Sequence, residues 1–375
     1  MSKVWKRWIP AAVVGVVVAG AAVAVPLSAG AAGALPTKSA EEVLALVAGS
    51  SVTGFSGTVE QTSDLGLPSL PAGAGSASGS SEGSSDSSAA AASSALELLT
   101  GSHTARVYVD TSNGAGNLRV QVLDQLAERD VIRSGDSLWL YDSAKQTAVH
   151  ATAASTSAPD ADPTSPAETA TPQQLAQKFL AAADSTTDVT VGGDVTVAGR
   201  SAYDLVLTPQ SGSTLVGAVS IAVDSATGLP LRVEVTAAGA ADPAFSSSFT
   251  ALDLSTPPAD LFSFTPPAGT TVTEKTVPSG AASTAPANPA QEQYAHVPDA
   301  SKPVVTGSGW SSIVEIPAGS DSSALTSSPL LAQLTTPVAG GNLLSTTLLN
   351  VFVASDGRVF AGSVPAEALE AAAAQ

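Results

Sequence analysis

Val197-Ala198-Gly199-Arg200-Ser201-Ala202-Tyr203-Asp204-Leu205-Val206-Leu207-Thr208-Pro209 runs, after a short gap, into Ile221-Ala222-Val223-Asp224-Ser225-Ala226-Thr227-Gly228-Leu229-Pro230-Leu231-Arg232-Val233. Apolar and polar residues alternate along both halves, which is the period of a strand with one face buried. Ser225-Ala226-Thr227-Gly228 reads as a turn, with Gly where a positive φ is needed and Pro230 opening the next strand. Three strands follow from this stretch alone: 202–208, 218–224 and 231–237. Flanking alternation adds strands at 189–197 and 245–252.

The same pattern continues upstream. Ala105, Val107 and Val109 alternate with Arg106, Tyr108 and Asp110; Leu118, Val120 and Val122 alternate with Arg119 and Gln121, with Asn113-Gly114 between. Leu138 and Leu140 interleave with Trp139 and Tyr141, and a further strand spans 55–62. Short strands with turn residues every ten or so positions predict an antiparallel sheet. Two helices are predicted by capping boxes. Ser39-Ala40-Glu41-Glu42 precedes Val43, Leu44, Leu46 and Val47; Thr171-Pro172-Gln173-Gln174 precedes Leu175, Phe179 and Ala183. The fold class is therefore mainly β with a few helices (α+β).

The ends and insertions are compositional. Lys3, Lys6 and Arg7, the apolar run 11–25 and the small residues 29–34 read as a signal peptide over 1–34, with cleavage expected after Ala31 or Ala34. The alternative is an uncleaved anchor, because the run extended to Leu35 approaches spanning length. Segments 68–94 and 151–170 are low-complexity insertions, expected to stay disordered because they cannot bury enough apolar surface to offset their ordering entropy. A Pro/Ala linker covers 278–303. The remainder, 304–375, holds a strand at 311–316, a helix at 324–334, a hairpin built on Ser355-Asp356-Gly357-Arg358 and an Ala-rich helix at 366–374. The hairpin is expected to pair with the main sheet and cover its open edge.

Charge and chemistry narrow the function. The formal net charge is −18, and loss of the leader makes the chain more acidic still. Phosphate backbones repel such a surface, so nucleic acid is excluded as a partner. There is no cysteine, which removes disulfides, thiol catalysis and lipid anchoring through a thioether. His103, His150 and His296 are read as solvated histidines in loops or at strand ends, without metal-ligand spacing. Gly79-Ser80-Ser81-Glu82-Gly83 matches a nucleophile elbow but lies in a Ser/Gly tract with no strand before it. Asp160 and Asp162 start a calcium-loop pattern that Pro163 breaks. No catalytic residue, metal ligand or cofactor is assigned, and the chain is read as a non-enzyme.

The G-x-x-x-Y-x-L-x-L-x-P strand followed by V-D-x-x-T-G-L-P-L-R resembles the LolA/RseB-type lipoprotein carrier superfamily. Phe55-Ser56-Gly57-Thr58-Val59 after a short helix is similar to that family's opening, and Leu138-Trp139-Leu140-Tyr141 to one of its strands. Gly357-Arg358-Val359-Phe360-Ala361-Gly362 resembles the tails of such proteins from high-GC Gram-positive bacteria. The resemblance covers roughly 36–277; the two insertions and the missing cysteine depart from it. It implies an open antiparallel half-barrel over 35–277 with helices in its concave side. It also implies an exported, extracytoplasmic carrier that shields the acyl chains of a lipid or acylated lipoprotein. Leu205, Leu207, Ile221, Val233 and Val235 are the candidate cavity walls. An inward apolar residue serves a core as well as a cavity, and alternation does not separate the two. The competing implication is an RseB-like envelope sensor that binds a membrane regulatory protein, with its partner surface on the tail. An envelope structural protein with a degenerate pocket is a third class.

Overall fold

The computed structural model describes residues 35–67, 101–112, 114, 116–123, 127–153, 171–183, 185–277, 303–319 and 334–374. The leader, nearly all of the two insertions and of the linker, and the helix expected at 324–334 apart from Leu334 lie outside the described residues.

Among these residues thirteen strands form one sheet. Its first half is a meander: β1 (Gly54–Ser63), β2 (Gly101–Asp110), β3 (Asn117–Leu123), β4 (Glu128–Ser134), β5 (Ser137–Asp142) and β6 (Thr147–Ala153), each antiparallel to the one before. The second half comprises β7 (Thr187–Val191), β8 (Val195–Val197), β9 (Arg200–Pro209), β10 (Val216–Asp224), β11 (Pro230–Ala237) and β12 (Pro243–Asp253). β9 to β12 form a second meander, while β7 and β8 both pair with β9. β12 lies antiparallel to β1 and joins the halves. β13 (Thr271–Val277) runs parallel to β6 at the far end. β13 and β7 end the strand order without meeting, so the sheet is open. This is the antiparallel-dominated open architecture that the motif resemblance implies.

The two capping boxes form as expected. In α1 (Ala40–Ala48) the Glu42 amide donates to Ser39 Oγ at 3.3 Å and the Ser39 amide to Glu42 Oε2 at 2.7 Å. In α2 (Pro172–Ala182) the Gln174 amide donates to Thr171 Oγ1 at 3.2 Å and the Thr171 amide to Gln174 Oε1 at 3.0 Å, with Pro172 in the first turn. Each box satisfies amides that a helix start otherwise leaves unpaired.

Two expectations are corrected. The strand expected at 189–197 is two strands, because Gly192 and Gly193 interrupt the alternation and β8 turns to the other end of β9. The tail hairpin does not join the main sheet. Its strands β18 (Asn350–Ala354) and β19 (Val359–Gly362) belong to a separate six-stranded sheet with β14 (Val304–Thr306), β15 (Ile313–Ile316), β16 (Thr336–Val338) and β17 (Gly341–Ser345). The hairpin has an apolar face of its own to cover. Phe352, Phe360 and Val364 are buried with Leu369 of α3 (Ala366–Ala373), and that small core holds the tail together. The tail sheet is stitched to the main unit. The Leu215 amide and Thr214 Oγ1 donate to the Ser363 carbonyl, and the Thr347 amide donates to the Leu65 carbonyl.

Candidate functional site

The five residues that the resemblance marks as cavity walls come together in two adjacent cross-strand rows. Leu205 of β9 faces Ile221 of β10, which faces Val233 of β11; one step along, Leu207 faces Val219, which faces Val235. Val219 completes the second row and was not singled out in the sequence, although its alternation with Ile221 and Val223 carried the signal. Leu205, Leu207, Val219, Ile221 and Val233 are fully buried.

The rows are covered. Val43 of α1 and Ala176 of α2 are buried against them, joined by half-buried Leu44, Val47, Leu175 and Phe179. Trp310 and Leu348 of the tail close the same cluster. The Trp310 ring stacks on Phe179 at 6.3 Å, and its Nε1 donates to Thr187 Oγ1 at 2.9 Å. The aliphatic rows therefore form a surface filled by helix and tail side chains. Ser247 lies across from Val233 and ends the first row; its hydroxyl is buried without a hydrogen-bond partner.

The polar residues of the sequence motif seat α1 on this surface. Tyr203 donates its hydroxyl to the Pro36 carbonyl at 3.0 Å, just before the helix. The Leu35 amide donates to Asp194 Oδ2 at 2.8 Å. Gly228, at φ +74°, lies directly under the end of the helix, where a Cβ would stand 2.1 Å from the Leu46 carbonyl oxygen. The turn that carries Gly228 is held by Asp224. Its carboxylate accepts from the Thr227 amide and hydroxyl and from both forks of Arg200. Burial pushes the Asp224 carboxyl up, but the bonds from Arg200 and Thr227 together outweigh it and leave the group below its ordinary range.

The opposite face of the first meander sets charged residues beside buried Ile132 and Ala148. Arg119 of β3 donates to Asp130 Oδ2 at 2.5 Å and to the Leu261 carbonyl at 3.2 Å, in a 3-10 turn (Ala259–Phe262) laid across the strands. Burial raises the Asp130 carboxyl to about 6, with Arg119 pulling it down and Glu128 adding to the rise. A shallow open depression of about 320 Å³ lies further along, over β12, β1 and β2, lined by Ser56, Thr58, Arg106, Tyr108 and Asp253. It does not touch the aliphatic rows. Trp139 and Tyr141, on the face away from Leu138 and Leu140, both pack on Phe264.

The histidine reading is corrected. His103 lies within β2 and His150 within β6, and both take part in interactions. His296 lies outside the described residues. Among the described residues, no group of three His, Asp or Glu side chains is placed to hold a metal ion, and no helix is long and apolar enough to cross a membrane.

No family model and no curated protein matches the chain. Solved structures do resemble it. The MucA/MucB complex of Pseudomonas aeruginosa aligns at 18% identity over 88% of this chain and 96% of that one, with a TM-score of 0.44. An uncharacterized conserved protein from Thermus thermophilus aligns at 15% identity over 63% of this chain and 99% of its own, with a TM-score of 0.35. A LolA-superfamily protein from Nitrosomonas europaea aligns at 10% identity over 61% and 99%, with a TM-score of 0.23.

Proposed function

We propose that this chain is an extracytoplasmic binding protein that takes up the acyl chains of a lipid or acylated lipoprotein between its main sheet and its two capped helices. The observation that carries this reading is the pair of aliphatic rows, Leu205–Ile221–Val233 and Leu207–Val219–Val235, under a cover of separate elements. α1 is tied by hydrogen bonds at its entry and rests its end on a turn, so the cover is seated rather than woven into the sheet. Displacing it exposes about the kind of surface an acyl chain needs, and burying that chain again returns roughly 25 cal/mol per Å² of apolar area. Binding of this type needs no reactive group.

The test is uptake of a fluorescent fatty acid and of a fluorescent lipopeptide by the full chain and by Val233→Phe. Overpacking a filled core costs roughly 1–3 kcal/mol. A helix cover that moves aside absorbs the larger ring with little loss of stability, and uptake falls. Normal uptake by a folded Val233→Phe protein removes Val233 from the site. No uptake by the wild type across several lipid classes sinks the carrier reading.

A second reading, a sensor that binds a membrane regulatory protein, is favoured by the tail. β14 is one of the two edge strands of the six-stranded sheet, and Val304 and Val305 on it are 53% and 63% exposed. An exposed apolar edge is a template for an added strand. A partner that protects the amides of 304–306 from hydrogen exchange, with no lipid uptake, decides for the sensor.

A further inference from the structure

The far end of the main sheet gathers three side chains that the acyl-binding reading does not use. Ser137 opens β5, His150 is the fourth residue of β6 and Glu274 is the fourth residue of β13. The antiparallel register sets His150 opposite Trp139, with Ser137 on the same face one diagonal step away; the parallel register sets Glu274 opposite His150. Side chains at such positions reach one another. Ser137 Oγ lies 2.9 Å from His150 Nε2, and His150 Nδ1 lies 2.7 Å from Glu274 Oε2. The imidazole is stacked flat on the Trp139 indole, 4.1 Å away and 10° from parallel, so its plane is set.

We infer that Ser137, His150 and Glu274 form a nucleophile, base and positioning carboxylate that accept an acyl group from neutral esters. The chemistry follows from the connectivity. A carboxylate on Nδ1 selects the tautomer with its proton there and leaves Nε2 free to accept from the serine hydroxyl. Ser137 Oγ attacks the ester carbonyl carbon while its proton passes to His150 Nε2. The bond from the carbonyl carbon to the leaving oxygen breaks, and His150 returns the proton to the departing alcohol. Water then attacks the Ser137 ester, giving its proton to His150, which hands it back to Ser137 as the free acid leaves. Neither oxidant nor cofactor is consumed.

Access and substrate class are set by the neighbours. His150 keeps 23% of its side chain exposed and Glu274 keeps 68%. A Cβ added at Gly135, in the turn before Ser137, would meet nothing within 4 Å, and Ser137 itself is half-buried. Trp139, Tyr141 and Phe264 make an aromatic wall beside the histidine. A net charge of −18 disfavours anionic substrates. An uncharged ester with an aryl or apolar portion fits both facts.

The test uses the full chain with p-nitrophenyl acetate, followed by release of p-nitrophenol and by peptide mass spectrometry. Acetyl on Ser137 is expected, with none on that peptide in Ser137→Ala. His150→Gln lowers acylation at least about 100-fold. Glu274→Gln lowers it about tenfold while Glu274→Asp restores it, which a purely structural tie would not do. Circular dichroism confirms folding. Should His150→Gln unfold, the Glu274 pair decides, because that carboxylate is mostly in solvent. Absence in the wild type of both acetyl on Ser137 and p-nitrophenol release that Ser137→Ala abolishes, or equal acylation of folded His150→Gln, overturns the assignment.

Discussion

Arg200 and Asp224 meet fork to fork, Nε to Oδ1 at 2.9 Å and Nη2 to Oδ2 at 2.8 Å, with the carboxylate 2% exposed. Breaking a buried pair by removing one partner typically costs 3–5 kcal/mol, because the other charge stays behind. Arg200→Met is expected to lose stability of about that size in urea unfolding, with a loosened 225–228 turn. The Asp224 carboxyl is depressed below its unfolded value. Its contribution is therefore full above pH about 4 and is lost as pH falls through the depressed value. Arg200→Met should show a weaker acid dependence than the wild type.

Gly228→Ala tests the seat of α1. The positive φ alone costs an alanine on the order of 1–3 kcal/mol, and the methyl meets the Leu46 carbonyl. The expected result is faster hydrogen exchange in 40–48 and increased binding of an apolar dye, with the tail sheet unaffected. Unchanged exchange in α1 would separate this glycine from the helix.

Ser247→Ala is expected to leave stability unchanged or slightly raised, since the serine hydroxyl is buried without a partner. If acyl chains enter along the Val233 row, a ligand ester or acid group is placed to use that hydroxyl. Lipopeptide affinity then falls severalfold in the variant while the melting temperature does not.

Asp130 gives the opposite pH sign to Asp224. Its folded value is raised to about 6, so the favourable contribution of its proton is full below about pH 4 and is lost as pH rises through 6. Stability measured between pH 7 and pH 5 should increase on acidification, and Asp130→Asn should flatten that slope. A slope unchanged in the variant would assign it elsewhere.

The core stretch was legible because motif and periodicity agreed. Tyr203, Asp224 and Gly228 could be quoted from the sequence, and the hold of Asp224 on its own turn is local, but the contacts of Tyr203 with Pro36 and of Gly228 with Leu46 join distant segments and leave no local signal. The two helices were legible for the same reason, since a capping box is a local signal. β4 and β6 were missed: Glu128-Arg129-Asp130-Val131-Ile132-Arg133-Ser134 carries charges where a strand usually shows alternation. Those charges are accommodated by a cross-strand network including Arg119 and Asp130 that no single segment reveals. β13 was missed because a parallel edge strand has no hairpin partner to announce it. The Ser137, His150 and Glu274 cluster depends on that strand, so it was invisible as well. The aliphatic rows were legible as residues, while their cover by Trp310 and Leu348 came from a tail expected to pair with the edge of the main sheet and not to cover these rows.

The pairing of β13 with β6 sets an order of events during synthesis. His150 and Glu274 are 124 positions apart, and β13 is the last main-sheet strand in the chain. Until it arrives, β6 is a bare edge beside a completed meander. Loop length itself adds little to the closure cost, but distant pairings come late and slow folding. The window between translation of 153 and of 277 is thus when a nascent chain is open to strand addition by a neighbour. A chaperone that shields unpaired edges would have its use there, and stalling synthesis within that window should yield aggregates that stalling after 277 does not.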